Sequence, residues 1–182
     1  MSTPPQDVAS IGPPMVDRLP HEPEAERAVL AAMLLDPTAL LMVLEKVREE
    51  EFYVEAHRII FGACEALHSR GQAVDLLTVT NHLREQGMLE QVGGAAYLSS
   101  VVDALPDVAN AVHYGEIVHD KAVKRRLIAA AQRILTTCSM DHGEAKAAVE
   151  SAQRDVYHIA EDTLAGGLLH VRGLAETELR AI

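Results

Sequence analysis

The chain has no tryptophan, two phenylalanines and four tyrosines. A core cannot be built here on large rings, so Leu, Val, Ile and a great deal of Ala must fill it. Such small, straight side chains suit helices packed closely on helices. Cysteine is nearly as scarce: Cys64 and Cys138 lie far apart with no CxxC, which excludes a disulfide framework and makes free thiols in a cytosolic chain the default. No uncharged apolar run approaches the roughly 20 residues that a bilayer requires. Residues 1–18 carry Pro4, Pro5, Pro13 and Pro14 and no apolar run of the signal-peptide kind, and they read as a disordered tail. The expectation is a soluble, cytoplasmic protein.

Basic charge is also short. With 27 acidic against 16 basic side chains in 182 residues, the formal charge of −11 opposes a polyanionic partner over most of the surface. The dipeptide Gly-Lys does not occur, so no P-loop can form. The histidines form no HxxxH pair and no cysteine stands at ligand spacing from one, which leaves no metal site to assign. His57, between apolar neighbours, reads as a hydrogen-bonded core histidine. No serine lies in a nucleophile elbow, and the carboxylates sit at helix starts and on exposed faces, so no catalytic residues and no cofactor-binding residues are assigned.

What is present is helical punctuation. Pro23, with Glu22, Glu24 and Glu26 beside it, can open a helix that is apolar nearly all round and therefore central. Asp36 and Pro37 start a second helix with Leu40, Val43, Leu44 and Val47 inward. A third places His57, Ile60, Phe61, Cys64 and Leu67 on one face and stops at Gly71. Asp75 caps a fourth ending at Gly87; Gly93 and Gly94 open a fifth, with Tyr97, Leu98, Val101, Val102 and Leu105 buried, which Pro106 breaks.

After Asp107 the character changes. A helical pattern of about thirty residues is too long to wrap into a compact bundle. A turn at Asp141–Gly143 follows, and then Ala145, Val149, Ala152, Val156 and Ile159 recur at steps of four and three, the spacing of a narrow seam. A matching row at Tyr114, Ile117, Ile128, Ala131, Leu135 and Cys138 makes an antiparallel hairpin the economical arrangement. At about 25 cal/mol per Å² of apolar surface an Ala-rich pair alone is marginal, so a second copy is expected to complete the packing. The fold class expected is all-α: a helical head over residues 19–106 and a hairpin over 107–162 that mediates dimerisation. Residues 163–182, with Gly166 and Gly167, read as the start of a linker in a domain cut from something larger.

Lys121, Lys124, Arg125, Arg126 and Arg133 crowd the first hairpin helix. Lys121, Lys124, Arg125 and Arg126 cannot all share one face, Asp120 offers Lys124 a partner at i+4, and no aromatic interleaves them as in single-strand binders. A solvated or protein-contact face is therefore favoured over polyanion contact. The alternative is a free-standing adaptor that grips nucleic acid through this run.

The phrases LPHEPEAERAVLAAMLLD, EFYVEAHRIIFGACEAL, GQAVDLLTV, GMLEQVGGAAYL and PDVANAVHYGEIVHDKAVKRRLI, in that order, resemble the N-terminal domain of the DnaB family of bacterial replicative DNA helicases from about Leu19 to Ile159. The chain departs from the family at Asp107 and Val108, where Thr and Ala are usual, but Asp is still a good cap. The resemblance implies a ring of six built as a trimer of dimers, with DnaG primase as partner and the helicase loader a second candidate. It also implies a separate RecA-like ATPase domain beyond the linker, absent here, that binds ATP and Mg and most of the DNA; the parent would be an ATP-dependent helicase acting at the nucleoid during replication. It points to Tyr97, Ile128 and Ile134 as docking residues, for which ordinary core packing is the competing reading. The basic run then belongs on the outer hairpin surface or against an acidic neighbouring head.

Overall fold

The computed structural model of the protein describes residues 19–103, 110–139 and 145–180. They form seven α-helices and one 3₁₀ turn, with no strand among the described residues: α1 (Pro23–Leu35), α2 (Pro37–Lys46), the 3₁₀ turn Glu49–Glu51, α3 (Glu55–Ser69), α4 (Leu76–Glu85), α5 (Gly94–Asp103), α6 (Ala111–Ser139) and α7 (Ala145–Arg180). The architecture is all-α, a helical head followed by a long helical hairpin.

The local chemistry of the head follows the sequence closely. Asp36 Oδ1 accepts the Thr38 amide at 2.8 Å to cap α2. Asp75 and Thr78 cap α4 reciprocally, the side chain of each accepting the other's amide, at 2.8 and 3.0 Å. α3 and α4 both end in Schellman turns, with Gln72 N donating to Leu67 O at 3.0 Å and Met88 N donating to Leu83 O at 2.9 Å.

α1 is the axle of the head and packs on α2, α3, α5 and α6. Val29, Leu30, Ala31, Ala32 and Met33 are all fully buried in it, as a helix apolar around its circumference requires. Phe52, Ile60, Phe61, Val79, Leu83, Leu98 and Val101 close the core around it. Leu44 and Val102, expected inward, are half-buried against that core.

The first half of α6 belongs to the head as much as to the hairpin. Ala111, Gly115, Val118 and Ala122, spaced by four, three and four, are buried against α1, α2 and the 3₁₀ turn. Gly115 has a packing reason: a methyl group there would lie 3.0 Å from Val47 Cγ2, so the bare α-carbon lets α6 approach the end of α2.

α7 runs antiparallel to α6, and Arg133 Nε reaches Asp155 Oδ2 across the pair at 3.0 Å. The seam is rotated from the expected register. Ala148, Ala152 and Asp155 are half-buried and Ile159 is buried, whereas Val149 and Val156 are 57% and 48% exposed. On α6, Tyr114, Ile117 and Ile128 are half-buried, while Ala131, Leu135 and Cys138 are exposed. The inward face is set by the smallest side chains and the Arg133–Asp155 pair, which turns the larger valines outward. α7 does not stop at residue 162; it continues through Gly166 and Gly167 to Arg180. The expected tail, Leu105, Pro106, the Asp107 cap and the turn at Asp141–Gly143 lie outside the described residues.

Candidate functional site

Tyr97, half-buried on α5, points its hydroxyl into the head, 2.7 Å from His57 Nε2. The other ring nitrogen, Nδ1, lies 2.7 Å from Glu26 Oε2. Glu26 and His57 are each only 1% exposed. The carboxylate of Glu26 also accepts the amide of Tyr53 at 2.8 Å through Oε1 and that of Val54 at 3.2 Å through Oε2. One buried acid thus ties together α1, the segment before α3, α3 itself and α5. Burial alone would raise the Glu26 pKa, but the hydrogen bonds from His57, Tyr53 and Val54 together hold it below the ordinary carboxyl value. The Tyr97 hydroxyl is pushed above its ordinary value, first by burial, with the nearby carboxylates adding to the effect and Arg27 opposing it.

A second polar cluster joins head to hairpin. Glu51, 4% exposed, accepts from Arg126 Nη2 at 2.9 Å and lies 2.7 Å from His119 Nδ1, both through Oε1. Arg125 donates to the carbonyl of Pro20 at 2.8 Å and to that of Glu51, and its guanidinium sits 5.6 Å from the centroid of the Tyr53 ring, which stacks on His21. Burial is the main force lowering the Arg125 pKa, opposed by Glu26 and Glu51.

The basic run therefore divides. Arg125 and Arg126 bind the chain's own head, Lys124 pairs with Asp120 at 2.6 Å, and Lys121 is half-buried. Arg133 is held by Asp155. The acidic head that meets these arginines belongs to the same chain.

The remaining expected positions lie on the hairpin. Ile128 is half-buried, and Ile134 borders an open groove of about 520 Å³ between α6 and α7 whose walls include Ala148, Ala152 and the Arg133–Asp155 pair. Tyr97, Ile128 and Ile134 thus fall in separate settings, one in the head and two along α6. No three His, Cys, Asp or Glu side chains are grouped to hold a metal ion among the described residues, and no helix there is long and apolar enough to cross a membrane.

Sequence reasoning missed Glu26 and Glu51 as buried acceptors. Glu26 was signalled by its setting, since a carboxylate flanked by Ala25, Ala28 and Val29 in a helix apolar on every side has little surface to occupy. Glu51 had no such signal, because three consecutive glutamates look alike until α6 packs over one of them.

An all-helical head, braced by buried acid–histidine contacts on a long hairpin, defines a scaffold domain whose polar groups hold its own helices together. The chain matches the family described as DnaB-like helicase N terminal domain over residues 18–120, and it belongs to that family. Over 140 residues it is 41% identical to the replicative DNA helicase DnaB of Treponema pallidum, covering 77% of this chain and 32% of that protein. The corresponding protein of Geobacillus stearothermophilus is 37% identical over 155 residues, with 85% of this chain and 34% of that protein covered. The chain thus spans about a third of the length of these relatives. The crystal structure of the N-terminal domain of DnaB helicase from Mycobacterium tuberculosis superposes with a TM-score of 0.74 at 35% identity, over 78% of this chain and 99% of that one.

Proposed function

We propose that this domain is the oligomerisation and primase-docking part of a bacterial replicative DNA helicase that unwinds duplex DNA at the fork with ATP hydrolysis. The observation that carries this reading is the hairpin. Its outward residues include Leu127, Leu135, Val149, Val156 and Tyr157, all exposed in the single chain, on two rods whose shared seam is lined with alanine. Val149 and Val156 are a heptad apart on one face of α7, the spacing with which one helix packs against another. A second copy of the hairpin is the occupant this surface fits, and dimers of that kind would build the ring.

In this reading ATP and Mg are bound by a RecA-like domain that follows α7, and most DNA contact is made there. DnaG primase docks on this domain, with Tyr97 of the head and Ile128 and Ile134 of α6 as the residues through which docking acts, and the helicase loader is a further partner. The setting is the bacterial cytoplasm, at the nucleoid during replication. Residues 1–18 serve as a tail, 19–106 as head, 107–162 as the pairing hairpin and 163–182 as the lead into the linker. Nucleic-acid binding through the basic run has less support, since Arg125, Arg126 and Lys124 are already engaged within the chain.

The test is the light-scattering mass of this chain, alone and with the C-terminal domain of primase. The expected result is a dimer or larger species whose mass rises on adding primase. A strict monomer indifferent to primase would overturn the proposal.

A further inference from the structure

The segment ahead of α1 reaches across the base of the hairpin. Residues 19–22 have no regular secondary structure, contain Pro20 and run into Pro23. A residue before proline is kept out of helical backbone, and Glu22, at φ −144° and ψ 85°, is so. His21 Nδ1 donates back to the Leu19 carbonyl at 2.6 Å, and the ring stacks on Tyr53 with centroids 4.3 Å apart. The segment is therefore stiff, and its Pro20 carbonyl accepts from Arg125 Nη1 at 2.8 Å. Tyr53 meets both His21 and the Arg125 guanidinium, so strap, ring and cation form one contact.

That contact restrains the rod in a direction the rest of the joint does not. His119 and Arg126, which share Glu51, are a heptad apart and lie on one face of α6. A rod pinned along one line can still turn about it, and the packing beneath is shallow, through Ala111, Gly115, Val118 and Ala122. Arg125 stands roughly 100° around the helix from Arg126. It therefore opposes the turn, with the Glu51 carbonyl and the Tyr53 ring on the head side and the Pro20 carbonyl on the strap side.

We propose that residues 19–22 are a strap that closes over Arg125 and fixes the angle of the hairpin to the head. With the strap released, the rod swings about the His119–Glu51–Arg126 line while the head stays folded. The region ahead of α1 is then a handle on the hairpin angle, a property of the single chain that goes beyond pairing and docking.

The test is a spin-label distance measured within the full 182-residue chain. One label goes on Cys138, which is native and exposed, and the other on Gln72→Cys, at an exposed position beyond α3; Cys64 is buried and takes none. Mixing with excess unlabelled chain confines the distance to one molecule. Cys138 lies about 20 Å along α6 beyond Arg125, so a swing of about 10° moves its label by about 3–4 Å. The distance distribution should broaden by at least that much in Arg125→Ala and in the triple variant Leu19→Gly, Pro20→Gly, His21→Gly, and in part in His21→Ala. Lys124→Ala, which breaks the neighbouring pair with Asp120, should keep the wild-type distribution. Circular dichroism should retain the helical signal throughout. A wild-type distribution in the triple variant would overturn the proposal, even with Arg125→Ala broadened, because the head-side contacts alone would then hold the rod. Broadening by Lys124→Ala equal to that of Arg125→Ala, or loss of helix in both His21→Ala and the triple variant, would overturn it as well.

Discussion

Arg126 reaches from the hairpin into the head and donates to Glu51 Oε1 at 2.9 Å, the oxygen that also meets His119 Nδ1 at 2.7 Å. Arg126 and His119 are two turns apart on α6, so one buried carboxylate holds a fixed length of the rod. Arg125 adds the Pro20 and Glu51 carbonyls and the face of Tyr53. Packing of Ala111, Gly115, Val118 and Ala122 brings α6 to the head; the polar cluster then decides its angle and register.

Removing the acceptor should loosen this joint more than removing one donor. Glu51→Ala removes the one buried acceptor that Arg126 and His119 share and is expected to cost about 1–3 kcal/mol, the penalty of unmade hydrogen bonds to a charged group. Arg126→Ala should cost less, because its side chain is 35% exposed and solvent screens the pair. Urea midpoints of the two variants and wild type provide the comparison; equal or reversed losses would remove Glu51 from the centre of the joint.

Glu26 makes stability depend on pH in one direction. Its folded pKa is depressed below 4.5, so the folded state binds fewer protons than the unfolded chain as pH falls through this range. The stabilisation from its hydrogen bonds is therefore complete above the unfolded value near 4.5 and is lost as pH drops through the folded value. Urea unfolding from pH 6 down to about pH 3 should show a falling stability whose slope is shallower in Glu26→Gln. A parallel slope in the two proteins would mean that other carboxylates carry the acid sensitivity.

The thiols should separate by reactivity. Burial pushes the Cys64 thiol up to about 12, whereas Cys138 is exposed on α6. At neutral pH a soluble aromatic disulfide should titrate one thiol at once and the second only after unfolding, because the thiolate is the reacting species. Fast reaction of both in the native protein would contradict the burial of Cys64.

The elements themselves were legible from punctuation. Pro23, Asp36 with Pro37, Asp75, Gly71 and Gly87 each act locally, through a fixed φ, a short acceptor or a left-handed residue, and each marks the end it was expected to mark. His57 likewise proved to be a hydrogen-bonded core histidine. Less legible was anything that depends on rotation about a helix axis. In the hairpin the pattern favoured Val149 and Val156 as inward, but apolar size alone does not say which of two adjacent stripes turns in. Ala148 and Ala152 with Asp155 allow closer approach and an ion pair, and that arrangement won. The pairing of Glu51 with His119 and Arg126 spans some seventy residues, and no local rule reaches so far.

Gly93 should tolerate no side chain. At φ +90° an L-residue is strained, and its Cβ would collide with Tyr97. Gly93→Ala is expected to cost roughly 2 kcal/mol or more, the sum of the backbone strain and a displaced ring. Gly115→Ala is the useful contrast. Its methyl would press on Val47 Cγ2 at 3.0 Å, but it sits inside a helix, where Ala gains about 1 kcal/mol over Gly. Thermal melting should place Gly93→Ala well below Gly115→Ala; the opposite order would mean that the α5 turn yields more readily than the contact between α6 and Val47.

The outward valines of α7 give the sharpest test of self-association, because about half of each side chain stands open to solvent in the single chain. Val156 is 48% exposed and Val149 57%, so a glutamate at either position meets water in a monomer and should leave its melting nearly unchanged. In a paired hairpin the same glutamate would be buried without a partner, at a cost of several kcal/mol. Leu135, 53% exposed on α6, offers the same test from the other rod. Val156→Glu and Leu135→Glu should therefore shift the sedimentation or light-scattering mass toward one chain while circular dichroism keeps its helical signal. Such variants also have a built-in control in Ile159, which is buried within the chain: Ile159→Glu should unfold the end of the hairpin whether or not it pairs. Undiminished association in Val156→Glu and Leu135→Glu would move the pairing surface off the hairpin altogether.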